Sequence, residues 1–260
     1  FFLYLPHTMV HVPLFVSERF AGKSGKGLFG DVVMEIDWSV GEILGALQRL
    51  GLDDDTLVLF TGDNGPWLGY GEHAGSAGTL REGKGTMFEG GIREPTIARW
   101  PGRVPANREC RELCSMLDIL PTLAALTGAA LPKQAIDGHD IRPLLFGEAN
   151  TKSPDDAGGF LDYHMDQLQA VRSGPWKLYL PLESKIANGA GKRTTSSLNL
   201  FNVVDDVSET NEVSAMNPEV VQRLLKLADQ AREELGDVNR PGKGQRAAGL
   251  SANPTARIKE

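Results

Sequence analysis

A carboxylate and a carboxamide directly follow an apolar run in the segment TLVLFTGDNGP, residues 56–66. The β-branched and apolar residues from Thr56 to Thr61 predict a buried strand, and the glycines around Asp63 and Asn64 predict that the strand ends there. In open α/β sheets, ligands bind beyond the carboxyl ends of strands. Asp and Asn supply hard oxygen ligands, which suit Ca²⁺ or Mg²⁺ better than zinc. Taken alone, Asp-Asn-Gly is more typical of an ordinary turn.

Three further strings have an order and spacing that add to this signal. They are FFLYLPHTMVHVP at residues 1–13, LREGKGTMFEGGIREP at 80–95 and LDILPTLAALTG at 117–128. Together with FTGDNGP they resemble the type I sulfatases, the arylsulfatase A-like branch of the alkaline-phosphatase superfamily. IDGHDIRPLLFG, LQAVRSGPWKLY and LFNVVDDVSETNEV resemble the C-terminal region of that family. The resemblance extends from Phe1 to about Asp237, and GKGTMFEGGIREP is its most specific string.

The resemblance implies an α/β fold. The expected architecture is an alkaline-phosphatase-like sandwich with a mixed, mostly parallel central sheet, here partial, and a small C-terminal antiparallel sheet packed by a helix. We assign residues 1–150 to the C-terminal portion of the catalytic domain and 151–240 to a small α+β subdomain. The boundary lies in the polar segment EANTKSPDDAGG, which is rich in turn formers. Residues 241–260 are expected to form a loosely ordered tail.

Residue patterns predict the elements that position the candidate residues. The predicted strands are Phe1–Leu5, Thr56–Thr61, Thr96–Trp100, Leu168–Arg172, Trp176–Leu180 and Leu198–Val203. The predicted helices are Asp31–Leu50, Pro121–Leu126 and an amphipathic helix that Asn217 caps and Gly236 ends. A helix that leads into a buried strand, as before Thr56, is typical of α/β architecture.

The family's nucleophile motif is absent from these 260 residues. Sulfatases carry it as Cys-x-Pro-x-Arg or Ser-x-Pro-x-Arg and convert the Cys or Ser to formylglycine. Neither Cys110 nor Cys114 is followed by Pro and Arg at these positions, and no serine fits. The family's N-terminal Asp-Asp metal pair and its lysine–histidine pair are also missing. We therefore expect the C-terminal portion of a longer sulfatase, inactive alone, with Cys or Ser left open as the source of the formylglycine.

The resemblance implies that Asp63 and Asn64 are ligands of one divalent cation, with Ca²⁺ favoured and Mg²⁺ left open. It also implies that Lys84 contacts the sulfate ester or its leaving-group oxygen. Lys84 lies between two glycines, which let a ligand approach the backbone closely. His11, which precedes Val-Pro, is assigned to the same oxygen as a proton or hydrogen-bond donor. Histidine suits this task because it titrates near neutral pH.

Two other histidines are candidate substrate-binding residues. His7 lies four residues before His11, and in an extended segment this spacing puts both side chains on one face. His73 lies in the loop between the metal and lysine motifs, where loops at strand ends set specificity.

Three charged residues of LREGKGTMFEGGIREP are assigned structural roles. Glu89 is expected to cap backbone amides of its own glycine-rich loop. Arg93 is expected to form an ion pair with its neighbour Glu94.

Composition limits the classes of partner. The net charge of −7 argues against binding to nucleic acid or an anionic membrane. No run approaches about 18 apolar residues, so no transmembrane helix is predicted. Free thiols are favoured at Cys110 and Cys114, because a disulfide four residues apart on one helix is uncommon. The resemblance implies a periplasmic, secreted or lysosomal protein, but the residues leave the compartment open.

Three functions follow from these residues. The first is a sulfuric ester hydrolase that acts on a small sulfated substrate, a carbohydrate or aryl sulfate ester. The second is a catalytically silent binding domain that keeps the fold. The third is a phosphate- or phosphonate-ester hydrolase of the same superfamily. The string LREGKGTMFEGGIREP favours the sulfatase over the phosphatase, and nothing in the sequence selects the natural substrate.

Overall fold

A computed structural model of the chain describes residues 1–182, 187–188, 191–192, 197–238, 240–247 and 252. The helices are α1 Gly27–Arg49, α2 Glu89–Ile92, α3 Ile119–Thr127, α4 Arg142–Leu145, α5 Asp155–Gly158 and α6 Pro218–Glu234. The strands are β1 Val58–Thr61, β2 Thr96–Arg99, β3 Phe160–His164, β4 Gln167–Ser173, β5 Trp176–Tyr179, β6 Ala187–Asn188, β7 Gly191–Lys192, β8 Asn199–Asn202, β9 Gly236–Asp237 and β10 Arg240–Pro241. Short 3₁₀ turns span Asp53–Asp55, Leu68–His73, Met116–Asp118 and Ser214–Met216.

The C-terminal half is organised around a four-stranded antiparallel sheet in the order β3-β4-β5-β8. Neighbouring residues of a strand point to opposite faces, and Leu178 and Tyr179 of β5 show this. Leu178 packs with Leu224 and Ala228 of α6. Tyr179 packs on the other face with Phe88, which belongs to the glycine-rich segment, residues 83–92. The predicted small antiparallel sheet with a covering helix is confirmed, and its far face carries the segment that precedes α2.

The first two strands correct the expectation of a mostly parallel central sheet. β1 and β2 are antiparallel, with Thr61 opposite Thr96 and their hydroxyls 2.8 Å apart. Among the described residues, every paired strand is antiparallel to its neighbour. Parallel pairing requires a crossover that returns the chain to the other end of the strand. Residues 62–95 instead fold back at the end where β1 finishes, so β2 runs in the opposite direction.

The predicted strand Phe1–Leu5 is wrong. This segment has no strand partner in the described part of the chain, and its side chains are exposed, Phe1 by 87%. Apolar, β-prone residues alone do not form a strand, because the backbone donors and acceptors need a paired neighbour.

The N-terminal ends of α1 and α6 differ from the predictions. α1 begins at Gly27, four residues before the predicted start, so Asp31 lies inside the helix, where its carboxylate accepts hydrogen bonds from the amides of Gly22 and Ser24 in the preceding loop. Asn217 stands before α6 as predicted but does not cap it. Its side-chain amide donates to the carbonyl of Val213, 2.9 Å away.

The predicted boundaries at residues 150 and 240 stay predictions. Of the predicted tail, residues 248–251 and 253–260 lie outside the described residues, whereas Arg246 donates to the carbonyl of Ala135 at 2.7 Å and pairs with Asp137.

Cys110 and Cys114 are free and exposed. No helix in the described ranges has both the length and the apolar character needed to cross a bilayer.

A buried carboxylate joins the glycine-rich segment to the sheet. Glu89, the first residue of α2, is fully buried. One of its oxygens accepts from Lys177 Nζ at 2.9 Å and the other from Arg172 at 3.1 Å. Lys177 is also fully buried and donates to the carbonyl of Met87 at 2.6 Å. The expectation that Glu89 caps its own loop is therefore wrong, because the sheet supplies two cations that only the folded chain brings near.

Neighbouring charges keep this network ionised. Burial raises the pKa of Glu89, but the positive charges of Lys177 and Arg172 outweigh burial, and the pKa is lowered. Burial lowers the pKa of Lys177, but the charges of Asp162 and Glu89 more than compensate, so the pKa is raised. An ion pair between Arg93 and Glu94 was expected. Instead, the Arg93 guanidinium lies 3.9 Å from the Glu89 carboxylate.

We expect Lys177→Met to destabilise the chain by about 3–5 kcal/mol, because it leaves the buried Glu89 carboxylate without its main partner. Arg93→Ala is the matched control. Its side chain is 47% exposed and more distant from the same carboxylate, so a loss of about 0–1 kcal/mol is expected. Urea unfolding monitored by circular dichroism measures both. Similar, small losses for the two variants would contradict the assignment of the buried pair.

Candidate functional site

Two loops that carry predicted site residues are joined by their backbones. The amide of Gly65, which follows Asp63 and Asn64, donates to the carbonyl of Gly91 at 3.0 Å. The amide of Lys84 donates to the carbonyl of Pro66 at 2.9 Å. A Cβ at position 65 would overlap the carbonyl oxygen of Gly90, so only glycine allows this approach. The Asp63–Pro66 loop and the loop of Lys84 are therefore fixed side by side at the end of β1.

A second carboxylate lies beside Asp63. The Glu94 side chain packs against the Cα of Gly62, and its Oε1 is buried with no hydrogen-bond partner among the described residues. Burial, and then the negative charge of Asp63, raise the pKa of Glu94 to about 7. The Glu94 carboxylate, which has a buried oxygen without a hydrogen-bond partner among the described residues, and the nearby Asp63 carboxylate therefore supply oxygen ligands, and Asn64 directly follows Asp63 in the chain. Such a group fits a hard divalent cation.

The sequence argument missed Glu94 in this position. It assigned Glu94 to an ion pair with its chain neighbour Arg93, whereas the structure places its carboxylate against Gly62, directly after β1. The only sequence signal was its place in REP, immediately before β2, which is the strand that pairs with β1.

Trp67 brings two of the predicted catalytic residues together. Lys84 Nζ lies 5.3 Å from the centre of the Trp67 ring, a cation–π distance. The His11 ring lies edge-on to the same indole with the ring centres 5.9 Å apart. Tyr70 packs against Trp67 in a T-shaped arrangement at 4.8 Å. The sequence argument did not single out Trp67, although an aromatic residue directly after the DNGP loop was an available signal.

His11 has a defined tautomer when it is neutral. Its Nδ1 lies 2.7 Å from the carbonyl oxygen of Val12. A carbonyl oxygen only accepts, so Nδ1 carries the hydrogen and Nε2 is an acceptor in the neutral ring. His11 can therefore donate a proton from Nε2 only as the imidazolium.

His7 and His73 are the other two predicted histidines. The amide of His11 donates to the carbonyl of Thr8 at 3.3 Å. The chain therefore turns between His7 and His11, and the argument that an extended segment puts them on one face does not apply. His73 ends the 3₁₀ turn that begins after Trp67 and is exposed. In the described part of the chain, no hydrogen bond or ring contact links either histidine to Lys84 or Trp67.

Comparisons with known proteins agree with these features. A family model described as Sulfatase matches residues 1–129. Human arylsulfatase A is 41% identical over 244 residues, which cover 87% of this chain and 48% of that protein. The dog N-acetylgalactosamine-6-sulfatase is 43% identical over 181 residues, which cover 69% of this chain and 34% of that protein. The chain spans about half the length, or less, of the curated relatives it matches.

A solved structure from Bacteroides thetaiotaomicron, described in terms of the metabolism of multiple glycosaminoglycans, superposes with a TM-score of 0.74 at 34% identity. The match covers 86% of this chain and 48% of the other. The fold predicted from the sequence motifs is thereby confirmed at the level of the α/β class and the sulfatase architecture.

We expect Glu94 to titrate near pH 7 in the metal-free chain and its pKa to fall in the Asp63→Asn variant. The fall is partial, because burial is the larger cause and is unchanged, so the pKa stays above its usual value. Carboxyl-carbon NMR over a pH series measures both values. Asp54→Asn, which removes an exposed carboxylate, is the control and should leave Glu94 unchanged. An ordinary pKa for Glu94 in the unsubstituted chain would contradict the placement of its carboxylate.

Proposed function

Because the chain belongs to the type I sulfatase family, we propose that it supplies the cation-binding and leaving-group side of a sulfuric ester hydrolase. The observation that carries the proposal is the convergence of the Asp63–Pro66 loop, Lys84 and His11 around Trp67. Cleavage requires, in addition, a formylglycine nucleophile from a Cys/Ser-x-Pro-x-Arg motif. That motif is absent from these 260 residues, so we propose that the chain alone is inactive.

Asp63 and Asn64 would hold one divalent cation, with Glu94 beside them. Ca²⁺ is favoured and Mg²⁺ is the alternative, since both prefer oxygen ligands. Calcium takes about six to eight oxygens, so water, substrate or further residues would complete the coordination. When bound, such a cation supplies positive charge towards the sulfate oxygens.

Lys84 would bind the ester through its ammonium group. Its backbone is fixed by the hydrogen bond to Pro66, and its side chain is directed across Trp67. An ammonium group held in place near the bridging oxygen stabilises the negative charge that develops there as the sulfur–oxygen bond breaks. Lys84 carries no lone pair while charged, so it would not take part in cation binding.

His11 would transfer a proton to the leaving alcohol from Nε2. The Val12 carbonyl orients the ring through Nδ1. Because only the imidazolium donates from Nε2, the contribution of His11 is greatest for alcohols that leave poorly without a proton.

The substrate class proposed is a sulfated carbohydrate, with an aryl sulfate as the alternative. The dog relative is named for N-acetylgalactosamine 6-sulfate, and Trp67 with Tyr70 offers an aromatic surface on which the ring of either substrate can pack. His73 and His7 stay candidates for contacts to the outer part of the substrate.

A catalytically silent binding domain is the second proposal. It applies if the sequence upstream of these residues also lacks a Cys/Ser-x-Pro-x-Arg motif. Such a domain would keep the cation site, Lys84 and the aromatic contacts. This proposal predicts that a sulfated ligand is bound but not cleaved, even when upstream sequence is supplied.

In a chain that includes the nucleophile motif, we expect Asp63→Ala to lose both the cation and activity. Lys84→Ala should keep the cation and lose about 10²–10³-fold in turnover, as for a single donor to a developing anion. Lys133→Ala, at an exposed position outside the site, is the control and should change neither. Elemental analysis and rates on an aryl sulfate measure both effects.

Two outcomes would contradict these assignments. If Lys84→Ala loses the cation while Asp63→Ala keeps it, the two roles are wrong. If the 260-residue chain alone hydrolyses an aryl sulfate above background, the requirement for a formylglycine outside these residues is wrong.

A further inference from the structure

A second group of potential metal ligands lies between α3, α4 and α5 and shares no residue with the Asp63 group. Asp118 ends the 3₁₀ turn before α3, His139 lies in the loop before α4, and Asp155 is the first residue of α5. One ligand atom of each lies within 4.8 Å of the others. We propose that these three residues bind a divalent transition-metal ion of the Zn²⁺ class.

The backbone holds the three side chains in place before any ion binds. The Asp118 carboxylate accepts from the amide of His139 at 2.8 Å and from the amide of Ser115 at 2.7 Å. The amide of Asp155 donates to the Ser153 hydroxyl at 3.1 Å. Three segments distant in the chain are therefore fixed around one point, which lowers the ordering needed to form a metal site.

The group carries negative charge that its protein partners do not balance. The side chains of Asp118 and Asp155 are 1% and 9% exposed, and His139 is the ionisable partner the two carboxylates share. His139 Nδ1 lies 3.0 Å from Asp155 and 4.0 Å from Asp118. Asp155 Oδ2 is buried and has no hydrogen-bond partner in the described ranges. Burial and the charge of Asp118 raise the pKa of Asp155, as expected for an uncompensated pair of carboxylates.

The ligand types select the class of ion. Imidazole together with carboxylates suits Zn²⁺ and related transition metals, whereas Ca²⁺ and Mg²⁺ prefer oxygen alone. The His139 side chain is 48% exposed, so the group is accessible from solvent. Three protein ligands leave at least one position for water, since zinc is commonly four-coordinate.

The alternative is a purely structural ion pair in which an imidazolium bridges the two carboxylates. The two explanations differ in what the chain binds. An ion pair needs no metal, whereas a metal site gives saturable binding that depends on each of the three residues.

The test is Zn²⁺ binding to the full 260-residue chain, measured by competition with a chromophoric chelator, and the absorption spectrum of added Co²⁺. We expect one Zn²⁺ per chain at this group, and His139→Gln and Asp155→Asn should each weaken binding by at least about 10–100-fold. His73→Gln and Asp63→Ala should leave Zn²⁺ binding unchanged. These two controls distinguish the proposed site from binding to an exposed histidine and from the cation site proposed at Asp63.

Circular dichroism is the check that each variant is folded. His139→Gln is the substitution less expected to disturb folding, because the His139 side chain is half exposed. Absence of Zn²⁺ binding by the unsubstituted chain would overturn the proposal, and so would equal affinity in a folded His139→Gln variant. Either result would leave the bridging imidazolium as the explanation.

Discussion

The placement of the glycine-rich segment, residues 83–92, depends on keeping the fully buried Glu89 carboxylate charged. Removing an ion such as Glu89 from water is unfavourable by several kcal/mol unless cations and hydrogen-bond donors surround it. Lys177 and Arg172 of the antiparallel sheet meet this requirement. Because the glycine-rich segment can satisfy Glu89 only by lying against that sheet, one interaction fixes where residues 83–92 run across the molecule. Phe88 and the Met87 carbonyl, which contact the same sheet, depend on this placement.

The same constraint positions the candidate site. Gly91 lies two residues after Glu89 and accepts the hydrogen bond from Gly65, while Lys84, five residues before Glu89, donates to Pro66. The loop of Asp63 and Asn64 is therefore held against a segment that is itself anchored at Glu89. In this account the C-terminal sheet contributes no residue to the chemistry. It acts by holding Lys84 and the Asp63–Pro66 loop at a fixed separation.

The sequence predicted what is local and missed what depends on distant partners. Amphipathic periodicity located α6, and runs of apolar and β-prone residues located β4 and β5, because both signals lie within a few residues. Asp63, Asn64 and Lys84 were assigned through motif strings, and their roles stay predictions. Glu89 and Glu94 were misassigned, since their partners Lys177 and Gly62 lie 88 and 32 positions away. Phe1–Leu5 failed for the same reason, because β propensity does not supply a partner strand.

Hydrogen exchange at the amide of Lys84 tests most directly whether Glu89 holds the site together. Glu89→Gln keeps the shape of the side chain and removes its charge. The account predicts that the amides of Lys84 and Gly65 then exchange faster relative to the unsubstituted chain, while the amide of Leu50, bonded within α1, is unchanged under native conditions. Unchanged exchange at Lys84 and Gly65, in a variant whose sheet amides do exchange faster, would contradict the account, because the two loops would then be positioned without the buried carboxylate.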